Sequence, residues 1–136
     1  MRPAALLVAA ALALVACKPK DAGPVPSLKA SELLEQYRAN EVGADDRYKG
    51  KRLRVAGIVA SVERSVFGDI VVELETGGTN VRAECNESAK AEVGKLAKGQ
   101  ATLLECTGRG MVLGAPMLGK CDVVKSGKAP AASSSR

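Results

Sequence analysis

Apolar residues follow a helical spacing near position 30 and a strand spacing after position 52. Four of them fall at i, i+3, i+4 and i+7: Ala30, Leu33, Leu34 and Tyr37. This spacing predicts a helix of about three turns, and Ser27 or Ser31 is available to cap its start. Residues 40–51 mix glycine and aspartate with a few apolar residues, which predicts an ordered connection packed on the core.

Strand signals begin at residue 52. The segment 52–62 is rich in β-branched residues, and Gly57 in its middle predicts a bulge or a sharp bend. Ile70, Val72 and Leu74 alternate with Val71, Glu73 and Glu75, and after Gly77-Gly78 apolar and charged residues alternate over 81–85, which predicts a hairpin.

A short helix and two further strands complete the pattern. Ser88 is available to cap a helix that Gly99 ends, and strands are predicted at about 101–107 and 117–124. The order predicts a mainly β protein with flanking helices: a five-stranded OB-fold barrel with an N-terminal helix and a short helix between strands 3 and 4. A five-stranded roll or open sheet is the alternative. The folded domain is predicted to span residues 28–125.

The first sixteen residues have the form of a secretory signal. Arg2 precedes an apolar run at 4–15, which is shorter than the ~20 residues of a transmembrane helix. Lys18-Pro19-Lys20 follows this run at once. Residues 1–16 are therefore interpreted as a signal peptide, 17–27 as a flexible tether and 126–136 as a disordered tail.

The residues Leu14-Val15-Ala16-Cys17 resemble the bacterial lipobox. The resemblance implies that Cys17 becomes the first mature residue and carries acyl chains such as palmitate, which would anchor a lipoprotein to the membrane. Lys18 after the cysteine favours the outer membrane, with the domain facing the periplasm, over retention in the inner membrane. The alternative is an ordinary signal peptide with an incidental cysteine.

Composition and charge exclude several classes of protein. The chain of 136 residues is 46% hydrophobic and 26% charged, which excludes a wholly disordered or multi-spanning protein. It has no histidine, the commonest neutral-pH base and metal ligand. Asp45-Asp46 is interpreted as a capping pair, and Gly108-Arg109-Gly110 as a turn rather than a phosphate loop. We therefore expect no catalysis, cofactor or metal.

Several short motifs resemble one family, the small bacterial OB-fold proteins called tRNA-anticodon-domain-like, many of them secreted or lipid-anchored. The similarity covers about residues 31–124. It rests on Leu33-Leu34-x-x-Tyr37-x-x-Asn40-Glu41-Val42, Ala44-Asp45, Tyr48-Lys49-Gly50-Lys51, Val55-x-Gly57-x-Val59, Lys98-Gly99-Gln100, Cys106-x-Gly108 and Cys121-x-Val123. The resemblance implies the fold but no particular ligand. The chain departs from the family at 83–86, where no aromatic residue follows the cysteine.

Three cysteines remain after Cys17, so one of them is left unpaired in an oxidising compartment. Cys106 and Cys121 face each other if the last hairpin turns at Leu113-Gly114, and this predicts a disulfide between them. Cys85 would then be a buried, inert thiol. Pairings that use Cys85 stay open, because the third and fifth strands of an OB barrel can be neighbours, and a redox role for Cys85 is the less favoured alternative.

The sequence predicts the type of function but not the ligand. The candidate ligand-binding residues are Phe67, Arg54, Arg82 and Arg109. We expect a non-catalytic binding or adaptor module that contacts an envelope protein or other envelope component through the barrel face and the loops around Phe67 and Leu113. The alternative is an oligonucleotide or oligosaccharide ligand on the same face. Nucleic acid is disfavoured because the chain has few aromatic residues.

Overall fold

The computed structural model describes residues 24–128, which form one closed sheet with short helices around it. In chain order the elements are β1 Ser27–Lys29, α1 Ala30–Ala39, α2 Glu41–Tyr48, β2 Arg52–Arg64, β3 Ile70–Leu74, β4 Val81–Cys85, a 3₁₀ turn Glu87–Ala89, α3 Lys90–Val93, β5 Ala101–Val112 and β6 Ala115–Ser126. The mainly β class is confirmed, and so is the order of the five predicted strands, which correspond to β2–β6. Cys17 and the segment 1–16 lie outside the described residues, as does most of the predicted tail.

The sheet closes because β2 pairs with two different strands. Its first half, Arg52–Ile58, lies antiparallel to β5, and its second half, Val59–Arg64, lies antiparallel to β3. The circuit continues through β4, β6 and β5 back to β2. The open-sheet alternative is therefore wrong. The sequence-based boundaries also missed β1, which adds in parallel to β2 beside Arg54–Ala56.

Gly57 lies where β2 changes partner. A Cβ atom there would lie 3.1 Å from the Leu74 Cβ and 3.3 Å from the Ala30 Cβ, so the glycine allows α1 and β3 to pack closely against the strand. The register shift itself lies between Val59 and Ser61. The predicted irregularity in this strand is thus present a few residues later than Gly57.

Helix α1 has the predicted buried face, but its start is capped differently. Lys29 is the N-cap, and its backbone N–H donates to the Glu32 carboxylate at 3.0 Å. Ser27 belongs to β1 and Ser31 to the first turn of the helix, so the prediction of a serine cap is wrong. The Glu32 side chain caps the helix instead, because it reaches back to an unpaired N–H at the helix start.

Helix α2 is an element that the sequence pattern missed. Asn40 caps it by accepting a hydrogen bond from the Gly43 N–H at 2.9 Å, and only Ala44 and Tyr48 are buried among its residues. So few apolar residues leave no helical periodicity to detect. The Tyr48 hydroxyl donates to Gln36 Oε1 at 2.6 Å and joins α2 to α1.

The second half of the domain differs from prediction mainly in element length. The helix after β4 is short, Asn86 rather than Ser88 precedes its 3₁₀ turn, and no side chain caps it. The hairpin of β5 and β6 is longer than predicted and turns at Leu113-Gly114, as expected, with φ of 51° and 79°. The prediction of a turn at Gly108-Arg109-Gly110 is wrong, because these residues lie within β5; Pro116 and Gly119 likewise lie within β6. Ser126 belongs to β6 rather than to the tail.

Gly108 allows the segment after α2 to reach the sheet. A Cβ atom at this position would lie 2.2 Å from the Tyr48 carbonyl oxygen, so only glycine fits. The Gly108 N–H donates to the Lys51 carbonyl at 3.0 Å, and the Gly108 carbonyl accepts from the Gly50 N–H at 2.8 Å. These bonds fasten the connection between α2 and β2 onto β5.

We predict that Gly108→Ala lowers the free energy of unfolding by about 3 kcal/mol, because backbone atoms must move to admit the methyl group. The measurement is a urea unfolding midpoint. Gly114→Ala is the control: nothing lies within 4 Å of its Cβ position, so only the left-handed φ of 79° opposes it, at a cost of about 1 kcal/mol. Equal losses in the two variants would contradict the close contact at Gly108.

Candidate functional site

The predicted disulfide is present between Cys106 on β5 and Cys121 on β6, whose Cα atoms are 4.2 Å apart. Both residues are fully buried. The register follows the predicted hairpin at Glu105↔Asp122 and shifts before Thr107↔Gly119, so the bridge lies at a bulge. The third cysteine, Cys85, is a free and buried thiol on β4.

Phe67 lies at the tip of the loop between β2 and β3 and is 90% exposed. Ser65 organises this loop: its Oγ accepts from the N–H groups of Phe67 and Asp69, each at 3.2 Å. The neighbouring Val66 is 95% exposed. We call residues 65–69 the apolar loop, because a fixed turn holds two apolar side chains out in solvent.

Arg82 and Arg109 belong to one group of charged side chains on the outer surface of the sheet. Arg82 on β4 contacts Glu73 on β3 at 2.8 Å and Glu63 on β2 at 3.7 Å. Arg109 on β5 pairs with Glu84 on β4. We call these five residues the face cluster.

The face cluster covers the outside of β3. Val71 pairs in register with Glu63 on one side and Glu84 on the other, and it is only 1% exposed. Arg109 reaches Glu84 by crossing β6 over Gly119, where a Cβ atom would overlap the guanidinium group. The sheet surface is therefore already covered by ion pairs, with three carboxylates around two arginines.

Arg54 belongs to a different group. It contacts Glu105 on β5 at 3.1 Å, and Arg52 contacts the same carboxylate at 3.2 Å and Asp122 at 3.9 Å. Hydrogen bonds from Arg54 and then Arg52 lower the pKa of Glu105. The structure therefore does not collect the three candidate arginines into one basic surface; only Arg82 and Arg109 share a cluster.

The carboxylates of the face cluster were missed as candidates, although the sequence contains a signal for one pair. Glu73 and Arg82 are equidistant from the Gly77-Gly78 turn, so the hairpin register places them opposite each other, as observed. The pairing of Arg109 with Glu84 had no such signal, because it depends on β6 lying between their strands. The ligand-binding role of Phe67 and the three arginines stays a prediction.

A shallow groove of about 350 Å³ lies between the start of α1 and β2. Its lining includes Ala30, Gly57, Ile58 and Ala101 and is mostly apolar. Within residues 24–128, no three or more aspartate, glutamate, cysteine or histidine side chains are grouped as metal ligands. In the same residues, no helix has the length and hydropathy needed to cross a bilayer.

The sequence model of the tRNA_anti-like family matches residues 8–122. The chain belongs to the tRNA_anti-like family. Its family motifs lie where segments distant in sequence contact each other. The Tyr48–Lys51 motif forms hydrogen bonds with Gly108 of another motif, and Gly57 packs against Leu74. These tRNA_anti-like residues thus explain the shared fold rather than a shared ligand. A search of curated protein sequences finds no match.

Solved structures with TM-scores above 0.5 support the fold of this tRNA_anti-like chain. A lipoprotein from Klebsiella pneumoniae subsp. pneumoniae MGH 78578, whose name describes it as nucleic acid-binding, superposes with a TM-score of 0.63 at 18% identity, covering 74% of this chain and 92% of that one. Asparaginyl-tRNA synthetase from Pyrococcus horikoshii gives a TM-score of 0.48 at 18% identity over 60% of this chain. A protein named aspartyl-tRNA synthetase from Leishmania major Friedlin gives 0.52 at 13% identity over 85%. The matches cover 21% and 23% of the synthetase chains.

We predict that Glu105 stabilises the fold above about pH 4.5, its ordinary pKa, by at most about 1 kcal/mol because the pairs are solvent-screened. Since the folded-state pKa is lowered, this contribution is lost as pH falls through that lowered pKa. The difference in free energy of unfolding between wild type and Glu105→Gln should shrink in acid. Glu92→Gln, an exposed carboxylate on α3, is the control. A difference that does not change with pH would contradict the ion pairs.

Proposed function

We propose that this protein is a lipid-anchored, non-catalytic binding module of the bacterial envelope, built on an OB barrel. Its partner is a protein or another envelope component, contacted through the apolar loop and the Leu113 hairpin tip. The observation that carries the proposal is the contrast between these tips and the sheet between them. Val66, Phe67 and Leu113 are 90–100% exposed, whereas Arg82 and Arg109 are already paired with carboxylates.

The face cluster argues against a polyanionic ligand. Each exposed ion pair contributes only about 0.2–1 kcal/mol, so a phosphate group could displace a carboxylate from its arginine. The carboxylates would nevertheless stay nearby, and Glu63, Glu73 and Glu84 outnumber the two arginines of the cluster. A phosphate backbone on this surface would therefore meet excess negative charge.

Exposed apolar side chains on a fixed turn suit a protein surface. A backbone turn that is already fixed loses less conformational entropy on binding, and large apolar side chains supply most of the affinity when they fill a pocket. The Ser65 hydrogen bonds hold the apolar loop in place, and the two-residue turn at Leu113-Gly114 does the same for the hairpin tip.

The lipid anchor is proposed from Cys17 in its lipobox-like setting. The structural similarity to the Klebsiella lipoprotein supports this placement. The proposed location is the outer membrane, on the periplasmic side, because Lys18 follows Cys17. Several acyl chains would bind the membrane far more tightly than one.

A second candidate function is oligonucleotide or oligosaccharide binding. It is favoured by the nucleic acid-binding name of the Klebsiella lipoprotein and by the exposed ring of Phe67, which could stack on a base or a sugar. The candidate requires the face cluster to open, so that Arg82 and Arg109 exchange carboxylates for ligand groups.

We predict that a photo-crosslinking amino acid at Phe67 or Leu113 captures the same envelope partner in cells. A crosslinker at Val42, an apolar residue that is 74% exposed on α2, is the matched control and should capture it at least tenfold less. Captured proteins are identified by mass spectrometry. Equal capture at all three positions would contradict the proposal. Single-stranded DNA binding that weakens with salt and disappears in Phe67→Ala would favour the second function.

We predict that Cys17→Ala moves the protein from the membrane pellet to the soluble fraction and removes acyl labelling, because the thiol carries the lipid. Cys85→Ala is the control and should leave the protein in the pellet. Membrane association and labelling that persist in Cys17→Ala would contradict the anchor without testing the apolar loop.

A further inference from the structure

Cys85, which has the free thiol, lies on the strand next to that of the disulfide residue Cys121. In the parallel ladder of β4 and β6, Cys85 is the direct register partner of Cys121. The Asn86 N–H donates to the Cys121 carbonyl at 3.0 Å, and the Asn86 side chain donates to Asp122 at 3.1 Å. These two bonds hold the end of β4 against β6 at the level of the bridge. All three cysteines belong to the same buried core.

Cys121 thus has two cysteine neighbours on its two flanking strands, Cys106 on β5 and Cys85 on β4. By contrast, β4 and β5 are separated by β6. Either outer cysteine can therefore bond to the central one without a change in strand order. An exchange between Cys85 and Cys106 has to pass through Cys121.

We propose that Cys85, Cys121 and Cys106 form an internal thiol–disulfide exchange site, in which Cys85 displaces Cys106 from Cys121. The Cys85 thiolate attacks Cys121 Sγ, a Cys85–Cys121 bond forms, and the Cys106–Cys121 bond breaks. Cys106 leaves as a thiolate and takes up the proton that Cys85 released. The number of disulfides does not change, so no outside oxidant or reductant is consumed.

The exchange moves the crosslink from within the last hairpin to between β4 and β6. With the Cys106–Cys121 bond, β5 and β6 are tied a few residues from the Leu113 tip; with the Cys85–Cys121 bond, β5 is held only by hydrogen bonds and packing. The site therefore offers two covalent forms of one fold that differ in how firmly the hairpin is held.

Burial keeps the exchange slow at neutral pH. Burial, and secondarily the Asp122 carboxylate on β6, raise the pKa of Cys85 to about 11. The register partner of Cys85 on its other side is the apolar Ile70 of β3. Because only the thiolate attacks, the rate should rise about tenfold per pH unit below this pKa.

Tryptic peptides distinguish the two forms, since cleavage after lysine and arginine separates 83–90, 99–109 and 121–125, each with one cysteine. The full-length protein is incubated without reductant at pH 8 and pH 10, quenched in acid, and mapped without reduction. We expect linked peptides of Cys85 and Cys121 to appear, with an initial rate about a hundredfold higher at pH 10. Their absence at both pH values, with circular dichroism showing a folded domain, would overturn the proposal.

Two variants test the geometry independently of alkaline pH. Under glutathione disulfide at pH 7.5, Cys106→Ser should form the Cys85–Cys121 bond. Cys121→Ser should keep Cys85 and Cys106 as free thiols, detected by alkylation after unfolding in denaturant, because β6 separates them. A Cys106→Ser protein that is folded but keeps two free thiols overturns the proposal. So does a Cys121→Ser protein that joins Cys85 to Cys106 equally fast, because pairing would then not depend on register.

Discussion

The structure depends on the double pairing of β2. This strand has 13 residues, bonds β5 with its first half and β3 with its second, and so closes the sheet. Closure removes the exposed edges that a five-stranded sheet would otherwise leave. Helix α1 packs over the position where the partner changes, and the segment after α2 reaches β5 because Gly108 lacks a side chain.

The family motifs contain residues that make contacts of this kind between distant segments. Asn40 caps α2, Gly108 receives the chain from Lys51, and the Gly99 N–H donates to Val59 of β2. Cys106 and Cys121 fix β5 and β6, each 12 residues long, to each other. A similarity that rests on such contacts concerns how the chain folds, and the exposed surface can differ between members of the family. Family membership therefore does not identify what the apolar loop contacts.

The sequence patterns predicted the structural features that depend on residues close together in the chain. The spacing of Leu33, Leu34 and Tyr37 predicted α1, and the hairpin register around Leu113-Gly114 predicted the Cys106–Cys121 bond. What the sequence did not reveal depends on contacts between distant segments. Helix α2 has too few apolar residues to show a period, and its helical state relies on packing against α1 and β5.

In the candidate site, too, the local sequence predicted one feature and contacts between distant strands determined another. The exposure of Phe67 was predicted from its place in a loop between two strands. The state of the arginines was not, because a count of basic residues does not show that Glu84 lies across β6 from Arg109. Because these arginines are paired with carboxylates, they do not form a basic surface, and this changes which ligands suit the sheet.

The direction of β2 also determines how far the apolar loop stands from the start of the folded chain. The chain enters beside Arg54, where the Pro26 carbonyl accepts the Arg54 N–H at 2.8 Å, and Ser65 follows the opposite end of the same strand. At ~3.3 Å per residue, about 36 Å of strand, measured along its bent path, lies between Arg54 and Ser65. The apolar loop and the point where the described chain joins the sheet therefore lie at opposite ends of β2.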